Sequence, residues 1–187
     1  MTAGNYANIL ECKPTSLSGC YELCPVIHQD NRGAFIKTYH VEAFAELGLA
    51  TEYKEEYYSV SKKNVLRGLH FQIPPYACDK LIYVPTGKVF DVAVDLRRDS
   101  PTYGKYHHLI LDAEYANMFY LPKGLAHGFY TLSDYAVLIY KTTAVYNAAC
   151  DTGILWNSLD IPWPCREPLT SKRDKQFITF ADFCTPF

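Results

Sequence analysis

The chain lacks an excess of either charge. It carries 18 Lys and Arg against 20 Asp and Glu, a formal net charge of −2 at pH 7. That balance excludes a nucleic-acid binder that works through a bulk basic field. Glycine and proline show no excess, 10 and 11 in 187 residues and together close to average usage, which excludes collagenous and low-complexity architectures. No run approaches the roughly 18 apolar residues of a membrane span, and the first ten residues have neither the basic nor the apolar region of a signal peptide. Paired cysteine motifs are missing as well. The seven cysteines are an odd number, and the one close pair, Cys20 and Cys24, has no second pair to complete a four-ligand zinc site. The expectation is a soluble cytosolic protein with reduced thiols and no membrane or nucleic-acid partner. What the chain does have is 49% hydrophobic residues and many aromatics, 16 Tyr and 10 Phe among them, enough for a substantial core.

At about 150 residues per domain, the length predicts one domain over 1–187, with a core over about 20–165 and a tail over 166–187 that wraps back. No internal repeat or linker divides it. One segment, Val41 to Leu49, spaces its apolar residues as a helix does, with Gly48 as a stop. Elsewhere short strands recur every 10 to 15 residues: Tyr57 to Val60, leading into Asn64-Val65-Leu66, then Leu81 to Val84, Val89 to Leu96, Tyr106 to Leu111, Asn117 to Leu121 and Ala136 to Thr142. Val89 to Leu96 is an apolar run with two acids, Asp91 and Asp95, on one parity. Short strands between turn signals predict an all-β sandwich or barrel with few short helices.

Three stretches join tight turns to ionisable side chains. Arg67-Gly68-Leu69-His70-Phe71-Gln72 is followed eight residues later by Lys80. On a strand, Gly68, His70 and Gln72 share one face and Arg67, Leu69 and Phe71 the other, unless a bend at Gly68 brings Arg67 round. Pro122 to Phe129 sets a Pro-x-Gly turn before His127, and Tyr140-Lys141-Thr142 ends an apolar strand. Taken singly, each has a bland reading: a packed histidine, solvated charges, a core tyrosine. Metal-binding barrels offer His-x-His with a nearby carboxylate. Here His70 and His127 are each followed by residues that do not ligate, and His107-His108 point to opposite faces, so no metal is expected. No glycine-rich phosphate loop of either common type occurs.

Together these motifs resemble one family, the dTDP-4-dehydrorhamnose 3,5-epimerases. The resemblance is carried by Ser61 to Gln72, Gly87 to Arg97, Ser100 to Gly104, Pro122 to Phe129, Tyr140 to Thr143 and Gly153 to Asn157, in order, over about Asp30 to Asp174. It implies a cupin-like jelly roll, a homodimer and no cofactor. The implied substrate is a nucleoside-diphosphate 4-keto-6-deoxy sugar, in the usual context of deoxysugar synthesis for a surface polysaccharide. The chemistry suits the residues. Protons at C3 and C5 are acidic because either carbanion delocalises into the C4 carbonyl, and inversion needs a base, an acid opposite it and a cation for the enolate oxygen. By resemblance His70 is the base, Asp174 its orienting carboxylate, Tyr140 the acid and Lys80 the enolate cation. Arg67 and Arg32 hold the diphosphate, His127 contacts the sugar, and Phe35 and Tyr146 line the pocket. Glu55, Tyr57, Gln72 and Lys37 fall at other substrate-facing positions.

Three of those positions depart from the family pattern. Glu55-Glu56-Tyr57 stands where a Gln-x-Asn run is usual, Lys37 where an acid is common, and Val145 where a tyrosine recurs. Lysine only donates hydrogen bonds, so Lys37 suits the acceptors of cytosine or guanine better than thymine N3–H. On the sequence alone, a CDP- or GDP-linked sugar and epimerisation at only C3 or C5 stay open. So do a 3,4-ketoisomerase and a non-catalytic sugar-nucleotide module.

Overall fold

The computed structural model describes residues 9–187. Within them run β1 (Leu10–Pro14), β2 (Tyr21–Pro25), β3 (Ile27–Asp30), β4 (Gly33–Ile36), α1 (Val41–Glu46), β5 (Glu55–Lys62), β6 (Leu66–Gln72) and β7 (Lys80–Thr86). There follow β8 (Lys88–Asp95), β9 (Tyr106–Asp112), β10 (Met118–Leu121), β11 (Leu125–Thr131), β12 (Tyr135–Thr142), β13 (Asp151–Gly153) and a 3-10 turn at Asp174–Gln176. A six-stranded sheet is ordered β1-β2-β10-β7-β12-β5 and a five-stranded sheet β13-β6-β11-β8-β9. They face each other over one core that includes Ile82, Phe119, Leu121 and Leu138 from the first sheet and Val89, Ala93, Leu111 and Phe129 from the second. This is the expected all-β, cupin-like sandwich.

The outer face of the five-stranded sheet is covered and that of the six-stranded sheet is covered in part, with Tyr58 and Val60 of β5 left exposed, and the strand patterns show why. In β8 the parity of Val89, Asp91, Ala93 and Asp95 faces inward. Phe90, Val92 and Val94 face outward, yet they are buried with Trp163 and with Phe180, Phe183 and Phe187 of the tail. A strand covered on both faces reads as a continuous apolar run. The tail is tied down by aromatic edges, with Phe183 5.2 Å and Phe187 6.0 Å from Phe71, and by backbone bonds from Leu155 N to Ile178 O and from Arg98 N to Phe187 O. On the other sheet α1 buries Ala43 and Phe44. The helix is shorter than expected: it begins at His40, whose side chain accepts from Ala43 N, and stops before Gly48, which adopts φ +70.

Several strands exceed the sequence expectation. The stretch Met1 to Leu17 carries no motif. Residues 1–8 lie outside the described residues, but Leu10–Pro14 is the edge strand β1, paired residue for residue with β2. Only Leu10 of β1 is buried, so there was no alternation to see. β3 and β4 form a two-stranded hairpin of their own, Asp30 opposite Gly33, with exposed residues throughout except Ile36.

Candidate active site

The sheets enclose a cavity of about 370 Å³ at one end. Its lining comes from both: Arg67, His70 and Gln72 on β6 with His127 and Phe129 on β11, faced by Glu55, Tyr57 and Ser59 on β5, Lys80 on β7 and Tyr140 and Thr142 on β12.

A glycine contact sets the base side. Gly68 has φ +140, and a Cβ there would sit 2.6 Å from the Gly128 Cα. Only glycine tolerates that conformation and that approach together. The β6–β11 ladder shifts register at this point, between His127↔His70 and Phe129↔Arg67. The bulge turns Arg67 into the cavity beside His70 and Gln72, while Leu69 and Phe71 go under the tail. The bend anticipated at Gly68 is therefore present.

His70 Nε2 lies 2.9 Å from Asp174 Oδ1, and Asp174 Oδ2 accepts from Gly68 N at 3.1 Å. Asp174 is buried, and its own N–H donates to Ser171 Oγ. Burial acts to raise its pKa. The His70 hydrogen bond and charge, with the Gly68 N–H and Ser171, outweigh that and hold the carboxyl below its ordinary value. With Nε2 engaged, Nδ1 is the ring nitrogen free to act on a substrate.

Tyr140 comes from the opposite sheet. Its hydroxyl lies 3.4 Å from Ser59 Oγ, and its ring stacks on Tyr57 at 4.8 Å and 16°. Burial pushes its pKa well up, with Ser59 opposing, so the phenol stays protonated near neutral pH. Lys80 Nζ donates to the His70 carbonyl at 3.3 Å. Burial lowers the Lys80 pKa, while Cys78, Asp151 and Asp91 act against the shift. His127 is the cross-strand partner of His70, and its Nε2 is 2.8 Å from Asp91 Oδ1. Burial depresses the His127 pKa and favours a neutral ring.

Other expected residues shape the rim. Gln72 Oε1 accepts from Asn147 N at 2.7 Å, and its Nε2 donates to Tyr76 O and Val145 O. Glu55 Oε2 accepts from Tyr146 N at 2.5 Å. Both side chains pin the segment that carries Tyr146. Arg67 is steadied by Ser61 Oγ and the Val60 carbonyl. The cavity residues given no role from the sequence include Ser59, Cys78, and the ion pair Arg173–Asp151 at 2.6 Å. Arg173 adjoins Asp174, and Asp151 lies two residues before the Gly153 motif, so both sat beside recognised signals. Arg32, Phe35 and Lys37 are not brought to this cavity. Arg32 and Phe35 lie on the β3–β4 hairpin, where Arg32 pairs with Asp30 at 2.6 Å and Phe35 is 63% exposed. Lys37 follows β4 directly.

A β-sandwich pocket with a carboxylate-backed histidine on one wall, a protonated tyrosine on the other and a half-buried lysine beside the histidine is equipped for stereochemical inversion next to a carbonyl. These features define the class as acid–base isomerases. Residues 14–182 match the family model of dTDP-4-dehydrorhamnose 3,5-epimerase, and the chain belongs to that family. The dTDP-4-dehydrorhamnose 3,5-epimerase of Shigella flexneri is 43% identical over 161 residues, 84% of this chain and 89% of that protein. The crystal structure of the Elizabethkingia anophelis enzyme is 38% identical, with a TM-score of 0.88 over 92% of this chain and 97% of its own. That of Legionella pneumophila dTDP-6-deoxy-D-glucose-3,5-epimerase, in complex with dTDP-4-keto-L-rhamnose, is 35% identical. Its TM-score is 0.89, over 94% of this chain and 95% of its own.

Proposed function

We infer that the chain is an isomerase that epimerises C3 and C5 of a dTDP-linked 4-keto-6-deoxy sugar by proton exchange through an enolate. The opposition of His70 and Tyr140 across one cavity carries this reading. His70 Nδ1 takes the proton from one face of the carbon next to the carbonyl. The electron pair moves into the enolate, whose oxygen takes its charge beside the Lys80 ammonium. Tyr140 returns a proton to the opposite face, and solvent resets both groups. Asp174 stabilises the imidazolium formed in between. Arg67 and Arg173 are the cavity cations available to the diphosphate, and His127 to the sugar.

The working unit we infer is a homodimer. The hairpin that bears Arg32 and Phe35 packs its strands on each other and leaves Phe35 exposed. In a dimer it meets the cavity mouth of the partner, which reconciles its expected substrate role with its distance from its own cavity. Among the described residues no helix is long and apolar enough to cross a membrane, and all seven cysteines are unpaired. These support a cytoplasmic setting.

The test is NMR in deuterated water with dTDP- and CDP-linked 4-keto-6-deoxyglucose, each made in situ. Deuterium at both C3 and C5 of the dTDP sugar is expected. Exchange confined to the CDP sugar would overturn the nucleotide assignment, and no exchange on either would overturn the reaction.

A further inference from the structure

Tyr140 is held by its neighbours' rings more than by its hydroxyl. The hydroxyl's one hydrogen-bond partner among the described residues is Ser59 Oγ at 3.4 Å, too long to fix a side chain by itself. The ring has the face of Tyr57 on one side, 4.8 Å away and nearly parallel, and the edge of His127 on another, at 6.0 Å and 74°. Tyr57 and Tyr140 are direct partners in the β5–β12 register, so their side chains leave the sheet on the same face. A phenol's oxygen lies on its χ2 axis, so only a change in χ1 displaces it. A ring stacked on Tyr57 and flanked by His127 has little room for that swing. The sequence singled out Tyr57 as a departure from a Gln-x-Asn run, so the asparagine position of that run here holds a stacking ring.

We propose that Tyr57 is a positioning residue for Tyr140: its stacked ring keeps the phenol aimed at the carbon that His70 deprotonates, so that protons return on the inverting face. The inference rests on the reaction proposed above. When His70 takes the proton, the C–H bond breaks and its electron pair forms the enolate. In inversion a new C–H bond forms with the phenolic proton of Tyr140, and the phenolate recovers a proton from water. With the phenol out of line, the enolate survives until the imidazolium of His70 returns a proton to the face it left. In deuterated water the imidazolium exchanges first, so this failure writes deuterium into substrate of unchanged configuration. Tyr57 therefore governs the ratio of inversion to exchange with retention.

The experiment measures that ratio by NMR in deuterated water with dTDP-4-keto-6-deoxyglucose, for wild type, Tyr57→Phe, Tyr57→Asn and Tyr57→Ala. The ratio is read per molecule of sugar converted, so a partly folded variant reports it as well as a fully folded one. Tyr57→Phe keeps the stack and is expected to leave this ratio at the wild-type value, whatever its rate. Tyr57→Ala and Tyr57→Asn are expected to raise retained exchange relative to inversion by about tenfold or more, since a misplacement of about 1 Å is enough to cost such factors. A wild-type ratio in Tyr57→Ala, or a Tyr57→Phe that behaves like Tyr57→Ala, would overturn the role of the ring while leaving the reaction standing. A wild-type chain that exchanges nothing would overturn the reaction and this inference with it.

Discussion

His70 and Asp174, 104 residues apart in the chain, meet at 2.9 Å because the tail that covers the five-stranded sheet also brings the carboxylate to the back of the imidazole. Covering the core and orienting the base are thus one packing event. Asp174→Asn keeps the shape and removes the charge that stabilises the imidazolium. Its kcat is expected to fall by about 10²-fold or more, with KM within a few-fold, because a carboxylate that orients a base acts mainly in the transition state. Steady-state kinetics on the dTDP sugar decides it, and an equal rise in KM with kcat intact would contradict the role.

Gly68→Ala is the sharper structural test. Its Cβ meets the Gly128 Cα at 2.6 Å and the His127 carbonyl at 3.1 Å, at φ +140. Neither obstacle is a flexible side-chain end. The cost is expected to be about 2–4 kcal/mol, from backbone strain and a core overlap together. Gly33→Ala, also at positive φ (+124) but with nothing within 4 Å of its Cβ, should lose only about 1 kcal/mol. Urea unfolding of the two variants compares them directly, and equal losses would remove the close approach from the account.

The same strands show what was legible beforehand. The parity of β8 was visible in the sequence, including the two acids on its inner face, because both its faces are buried and its pairing is regular. His70, Lys80, Tyr140 and Asp174 were legible through motif resemblance, and the cavity gathers the first three, with Asp174 behind His70. β1 and the β3–β4 hairpin were not legible. They bury almost nothing, and hydrophobic periodicity reports burial, not backbone pairing. Arg173 and Asp151 escaped because their ion pair joins the tail to β13, and no local spacing encodes such a contact.

The hairpin's place in the working unit makes a complementation prediction. A chain with Arg32→Ala and Phe35→Ala has an intact cavity but a blunted hairpin, and His70→Ala has the reverse. If the hairpin serves the partner's cavity, mixing the two unfolded chains in equal amounts and refolding them should restore about a quarter of wild-type activity. Half of the dimers are then mixed, and each mixed dimer holds one complete site in its two. Analytical ultracentrifugation must show a dimer for the same sample. Activity no greater than the sum of the separately refolded variants would mean that the hairpin does not act across a dimer.

Asp95 gives the clearest dependence of stability on pH. It is fully buried at the end of β8, and burial acts to raise its pKa. Hydrogen bonds from Arg97 Nε at 2.9 Å and Nη2 at 2.7 Å, from Ser100 Oγ and Thr102 Oγ1 at 2.6 Å each, and from the Arg97 N–H overcome that. They bring the carboxyl to about 2, against an ordinary 3.8. The folded value lies below the unfolded one, so the stabilisation is complete above about pH 4. As pH falls towards 2 the unfolded chain binds the proton first, and the stabilisation disappears. A shift of this size corresponds to roughly 2 kcal/mol at most. Asp174 is shifted in the same direction and keeps part of the acid slope in any Asp95 variant. Asp95→Asn should therefore lie well below wild type in urea midpoint at pH 7, with the gap narrowing steadily from pH 4 to pH 2. A gap that stayed constant over that range would show that Asp95 stabilises the turn by shape alone and that its ionisation contributes nothing.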